Sequence, residues 1–107
     1  MKTIKVSNLT SPRSGESVKN QFEIYESTKK TTSYTFQSYN TIIAKVIYKN
    51  GKCILILDKK ALHYSRTTSK YLYQFLDTVS QFRGMRKMQI LKAIQQKLIK
   101  TKDLNLN

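Results

Sequence analysis

Residues 42–57, with the sequence IIAKVIYKNGKCILIL, decide the fold of this chain. Two runs rich in β-branched residues flank Asn50 and Gly51, the pair preferred in a two-residue type I′ turn because both positions need positive φ. Such a turn fixes the register of the hairpin. The expected inner face is Ala44, Val46, Tyr48, Cys53, Leu55 and Leu57. The expected outer face is Ile43, Ile47, Ile54 and Ile56 with Lys45, Lys49 and Lys52.

Alternation of polar and apolar residues predicts further strands before this hairpin. Residues 2–6 alternate as a short strand at a sheet edge does, and residues 18–26 and 34–39 predict two more strands. With the hairpin, these segments predict an antiparallel sheet of about four to five strands within residues 2–58.

After Asp58 the apolar period changes from that of a strand to that of a helix. Thr67 or Thr68 can cap a first helix over about 66–80, and Gly84 separates it from a second over about 85–100. The predicted buried stripes are Tyr71, Leu72, Phe75, Leu76 and Val79, then Ile90, Leu91, Ile94 and Leu98. Strands followed by helices predict an α+β fold with two C-terminal helices packed on one face of the sheet. A length of 107 residues predicts one domain, 1–107.

The charge of the chain points to an anionic partner. Twenty Lys and Arg against six Asp and Glu give a formal net charge of +14. A magnitude of about 2–8 is enough to keep a small domain soluble, and a larger excess destabilises the compact state by self-repulsion. The alternative is a lysine-rich composition inherited from an AT-rich genome.

The basic residues fall in two stretches without acids, 27–57 and 78–102. On the predicted second helix, Arg86, Lys92, Lys97 and Lys100 lie opposite the apolar stripe, although a single basic helix face is usually only solvated. Lysines and arginines interleaved with tyrosines are typical of nucleic-acid surfaces, where charge meets the backbone and rings stack on bases. The candidate binding residues are Lys45, Lys49, Lys52, Arg66, Lys70, Tyr73, Arg83, Arg86, Lys92, Lys97 and Lys100.

Catalytic and metal-binding patterns are missing from the sequence. Cys53 and His63 are the only residues of their kinds, and a cysteine on the inner face of a strand usually behaves as a small hydrophobe. No clustered metal ligands and no glycine-rich phosphate loop occur. We therefore expect no enzyme activity, no cofactor, no metal and no small-molecule substrate. The single cysteine and the lack of a signal peptide or a long apolar run predict a soluble cytoplasmic protein away from membranes.

Three segments resemble a family of small phage and prophage proteins, a domain of unknown function. They are residues 14–22 (SGESVKNQF), 36–44 (FQSYNTIIA) and 64–76 (YSRTTSKYLYQFL). The resemblance spans most of the chain and implies a phage or mobile-element origin without implying an activity. The chain departs from the pattern at Asp77, where the family leads us to expect glycine.

Three functions remain open. The preferred one is inhibition of a host nucleic-acid-handling defence complex, such as a Cas-type nuclease, in the manner of anti-CRISPR proteins. This choice rests on the absence of a motif that reads DNA sequence. The alternatives are direct, non-specific binding to DNA or RNA and a role in virion assembly. The partner class in the first two is a nucleic acid or a nucleoprotein, and the oligomeric state stays open.

Overall fold

The computed structural model describes residues 2–105, and six strands and two α-helices follow one another along them. The strands are β1 (Thr3–Thr10), β2 (Ser17–Ser27), β3 (Thr31–Ser38), β4 (Thr41–Lys49), β5 (Lys52–Asp58) and β6 (Lys100–Lys102). The helices are α1 (Arg66–Asp77) and α2 (Lys87–Gln95), with a 3₁₀ turn at Ser80–Phe82 between them. The strands form one sheet in sequence order. The α+β class is confirmed, with six strands where four to five were expected. The strands β1 to β5 pair antiparallel as predicted, but β6 pairs parallel to β5, so the sheet is mixed and not purely antiparallel.

The turn at Asn50 and Gly51 sets the register of β4 and β5 as its sequence predicts. Both residues have positive φ, 54° and 75°, as a type I′ turn requires. The facing pairs are Tyr48 and Cys53, Val46 and Leu55, and Ala44 and Leu57. The predicted register of the hairpin is therefore confirmed.

A β-bulge moves Ile43 away from the outer face predicted for it. Phe36 of β3 pairs with Ala44, whereas the next residue, Gln37, pairs with Ile42, so Ile43 lies between two pairs without a partner on β3. Its side chain is fully buried in the core. The prediction for Ile43 is wrong because a bulge adds one residue to the two-residue period of a strand.

The core lies between the inner face of the sheet and both helices. Phe36 stacks on Phe75 of α1, with ring centroids 5.8 Å apart. The stripe predicted for the first helix is buried along its whole length, and α2 contributes Ile90 and Ala93. These residues belong to one buried cluster with those of β3, β4 and β5. Both helices therefore pack on the same face of the sheet.

Hydroxyl groups fix the start of α1 against the sheet. The Oγ of Ser65 accepts a hydrogen bond from the Thr68 amide at 3.2 Å, so Ser65 is the N-cap in place of Thr67 or Thr68. The Thr68 hydroxyl is instead buried 3.2 Å from the Ser38 hydroxyl of β3. The helix ends at Asp77, three residues before the predicted end at 80.

The second helix is shorter than the predicted range 85–100. α2 ends at Gln95, and Lys97 has a φ of 61°. The amide of Leu98 donates to the Ala93 carbonyl at 2.9 Å, the bond of a Schellman helix end. The chain then forms β6, which runs parallel to β5. Leu91 and Leu98, both predicted to be buried, are 40% and 68% exposed.

Asp58, at the end of β5, holds the segment that follows β6. Its carboxylate accepts hydrogen bonds from the Leu104 amide (2.9 Å), the Asn105 side chain (3.2 Å), the Lys60 amide (3.1 Å) and the Tyr64 hydroxyl (3.2 Å). Burial raises the pKa of Asp58, but these hydrogen bonds outweigh burial and hold the pKa below its ordinary value. The carboxylate is therefore a structural anchor.

Replacing Lys97 by glycine should stabilise the protein. A lysine with positive φ carries a steric cost that glycine avoids, so we expect Lys97→Gly to raise the free energy of unfolding by about 0.5–1 kcal/mol. Lys92→Gly, the same change inside α2, should lower it by about 1 kcal/mol. Urea unfolding of both variants measures the difference. A loss of stability in both variants would show that Lys97 does not adopt a positive φ.

Candidate functional site

A cleft of about 690 Å³ opens along α1, and we call it the basic cleft. Arg66, Lys70, Tyr73 and Asp77 of α1 line it at spacings of four, three and four residues, which place them on one face of the helix. Arg86 and Lys87 line it from the segment that begins α2. The remaining lining residues are Pro12, Leu62, Tyr64, Ser69 and Gln74.

Arg86 is held in the basic cleft by a ring and a carboxylate. Its guanidinium carbon lies 5.2 Å from the centroid of the Tyr73 ring, within the range of a cation–π contact. Its two terminal nitrogens donate to the two oxygens of Asp77 at 3.3 and 3.4 Å. The amide of Gly84 donates to the same carboxylate at 2.8 Å. Asp77, at the position where glycine was expected, thus connects α1 to the turn before α2 through these hydrogen bonds.

The hydrogen bond from Arg86 is the main cause of a lowered pKa at Asp77, and the Gly84 amide adds to it. More than a third of the Asp77 side chain is exposed. Solvent therefore screens the ion pair, which stabilises the fold by no more than about 1 kcal/mol.

Most of the cationic side chains in the described part of the chain form no salt bridge. Within residues 2–105, the salt bridges are Lys2 with Glu26 and Arg86 with Asp77. Arg66, Lys70 and Lys87 therefore line the cleft as cations without an acidic partner in the described chain. Lysine and arginine in this state can contact phosphate oxygens.

The other residues predicted on the second helix do not line the basic cleft. Arg83 lies in the turn before α2, where its side chain donates to the Asp77 carbonyl at 3.1 Å. Lys92 is exposed on α2, Lys97 follows the helix end and Lys100 belongs to β6. The predicted basic helix face from Arg86 to Lys100 is wrong because the helix ends before its last two members.

Lys45, Lys49 and Lys52 lie on the outer face of the sheet or at its rim. Lys45 is half-buried beside Ile56, while Lys49 and Lys52 face each other at the hairpin tip. Towards the β1 edge this face also presents Ile4 and Val6, which are 56% and 62% exposed. The outer face therefore combines lysines with exposed aliphatic side chains.

Sequence reasoning missed several residues that the fold brings to these surfaces. Lys87 joins the basic cleft, and its position beside Arg86 was the available signal. Lys29 and Lys30, at the tip of the β2–β3 hairpin, lie next to Lys49 and Lys52 around a second cleft. The sequence shows that both lysines lie in a stretch without acidic residues. It does not show the pairing of β3 with β4 that brings the tips of the two hairpins together.

Two further features concern metals and membranes. Residues 2–105 contain no group of three or more His, Cys, Asp or Glu side chains placed to hold a metal ion. Neither α1 nor α2 has the length and apolar character needed to cross a lipid bilayer.

Residues 4–92 match the family described as "Family of unknown function (DUF8033)". The chain belongs to this family. All residues that line the basic cleft of this DUF8033 member fall within the matched segment. No curated protein and no solved structure matches the chain.

Asp77→Asn should reduce stability only where Asp77 is ionised. The folded-state pKa is lowered, so the contribution is complete above the unfolded pKa of about 3.9 and is lost as the pH falls through the folded pKa. The variant should therefore lose up to about 1 kcal/mol of unfolding free energy at neutral pH and nothing in strong acid. Urea unfolding across this pH range measures the effect.

The control for this measurement is the same substitution in an Arg86→Gln background. Without the guanidinium, the pH-dependent difference should shrink to the part that the Gly84 amide supplies. An undiminished difference would show that Arg86 does not act on Asp77.

Proposed function

We propose that this protein is a non-catalytic binding protein whose basic cleft holds the phosphate backbone of a nucleic acid. The observation that carries the proposal is the convergence of Arg66, Lys70 and Lys87 in one open cleft, without a carboxylate paired to any of them in the described residues. A cavity with three such cations repels cationic and attracts anionic ligands.

The spacing of these cations favours an extended ligand. Arg66 and Lys70 are one helical turn apart, a rise of about 6 Å along α1, so both can reach one stretch of a backbone. Arg66 can bind a phosphate through two parallel hydrogen bonds, whereas Lys70 and Lys87 act as point charges. Arg86 is shared with Asp77 and becomes available where a phosphate displaces that carboxylate.

The charge of the whole chain supports the same ligand. A net charge of +14 creates a long-range field that speeds encounter with a polyanion and weakens as salt is added. Contacts of this kind go to the backbone and carry no base sequence information directly. We therefore propose binding that is strong at low salt and non-specific in sequence.

Lys70→Glu combined with Lys87→Glu should weaken binding to a short DNA duplex at least tenfold. The slope of log affinity against log salt should become shallower by about two, because two phosphate contacts are lost. Fluorescence anisotropy of the labelled duplex at several sodium chloride concentrations measures both quantities.

The matched control is Lys19→Glu combined with Lys92→Glu. It makes the same change of net charge at two exposed positions outside the cleft. Its affinity should fall less and its salt slope should stay close to that of the unmodified protein. Equal losses in the two double variants would show that net charge acts without a site and would end the proposal.

A second candidate is inhibition of a host nucleic-acid-handling defence complex by an anti-CRISPR-like protein of phage or mobile-element origin. The exposed Ile4 and Val6 on a face that also carries lysines favour it, since protein interfaces combine an apolar centre with a polar rim. Affinity capture from host lysate with and without nuclease separates the candidates. Partners that survive nuclease and are lost in Val6→Glu support inhibition, and loss of every partner after nuclease excludes it.

A further inference from the structure

Two pockets of similar size adjoin each other at the hairpin tips. The first, which we call the tip cleft, encloses about 320 Å³ between the β2–β3 and β4–β5 turns. The second, the tyrosine pocket, encloses about 320 Å³ between β3, β4 and the segment that follows α1. Thr32 and Tyr48 line both pockets. One ligand can therefore occupy the two together.

The tyrosine pocket presents two rings at a right angle. The centroids of Tyr34 and Tyr48 are 6.1 Å apart and their planes meet at 89°, while Tyr25 continues the row at 5.3 Å from Tyr34. Tyr48 is 37% exposed. A flat aromatic ligand that stacks on one ring meets the other edge to face, and both are favourable arrangements.

The tip cleft presents a cluster of lysines. Lys29 and Lys30 line it from one turn, and Lys49 and Lys52 line it from the other. None of the residues that line it is acidic. Lys49 and Lys52 lie directly opposite each other, an arrangement of like charges that destabilises a β-hairpin. A bound anion would relieve this repulsion.

We propose that the two pockets form a nucleotide site, in which an unpaired base stacks in the tyrosine pocket and its flanking phosphates lie in the tip cleft. This inference deepens the proposed function and rests on it, because the ligand is again a nucleic acid. The inference adds that the nucleic acid is single-stranded at this site, because the bases of a duplex are stacked on one another and side chains cannot reach their faces.

The competing explanation is that the tyrosines only stabilise the sheet through cross-strand contacts. That role would make Tyr48 matter for folding but would make affinity independent of whether the ligand carries bases. Removing the base from the ligand and the ring from the protein therefore separates the two explanations.

The experiment compares a thymidine oligonucleotide with an abasic strand of the same length, each bound to the unmodified protein and to Tyr48→Leu. The unmodified protein should prefer the thymidine strand about tenfold, a typical contribution of stacking on one aromatic side chain. Tyr48→Leu should lose most of this preference, while Tyr48→Phe should keep it because the ring remains. Quenching of tyrosine fluorescence, undisturbed because the chain has no tryptophan, reports binding.

Tyr39→Leu is the matched control, because Tyr39 is an exposed tyrosine at the β3–β4 turn that lines neither pocket. It should keep the preference for bases. Equal affinity of the unmodified protein for the two strands overturns the inference even if Tyr48→Leu fails to fold. A preference for bases that survives in folded Tyr48→Leu also overturns it.

The basic-cleft variants keep this result separate from the proposed function. If Lys70→Glu with Lys87→Glu binds normally while Tyr48→Leu loses the base preference, the cleft proposal fails and the nucleotide site stands. If the cleft variants bind weakly while the base preference is absent, the cleft proposal stands and the nucleotide site fails.

Discussion

The type I′ turn at Asn50 and Gly51 is the constraint on which the rest of the structure depends. Its positive φ angles fix the register of β4 and β5, so Tyr48 points to the inner face and Lys49 and Lys52 meet at the tip. A slip of one residue would exchange the faces of every side chain on one strand. The core packing of Val46 against the helices and the pairing of lysines at the tip therefore have the same origin.

The C-terminal end of α1 connects the two candidate sites. Asp77 lines the basic cleft, and Thr78 and Val79, the next two residues, line the tyrosine pocket. The Asp77 carboxylate also accepts a hydrogen bond from the Gly84 amide. This bond fixes the turn that carries Arg86. A change at this short segment is thus expected to affect both surfaces, even though different residues make the contacts in each.

Local patterns predicted the parts of the fold that depend on neighbours in sequence. The Asn-Gly pair fixed one hairpin, and the apolar stripe of residues 71–79 identified the buried face of α1. The end of α2 at Gln95 was missed because the position of positive φ that follows it is Lys97 and not a glycine, and Leu98 continues the helical period. β6 was missed because three exposed residues form a strand only when β5 offers an unpaired edge.

The candidate site was predictable to a similar degree. Arg66, Lys70 and Tyr73 share a helix face by spacing alone, but their meeting with Arg86 depends on the Asp77 carboxylate and the turn at Gly84. Tyr34 and Tyr48 come together only through the register of β3 and β4, which contains the bulge at Ile43. Tertiary pairing of this kind leaves no short-range signal in the chain.

β1 lies at the edge of the sheet and leaves one row of backbone groups without a strand beside it in the described chain. An edge of eight residues with exposed Ile4 and Val6 is a template for another copy, and mutual repulsion between highly charged chains opposes that pairing. An anionic polymer that neutralises the lysines would remove this repulsion. The binding proposed above would then be coupled to pairing between β1 edges, and neighbouring molecules would bind cooperatively along one polymer strand.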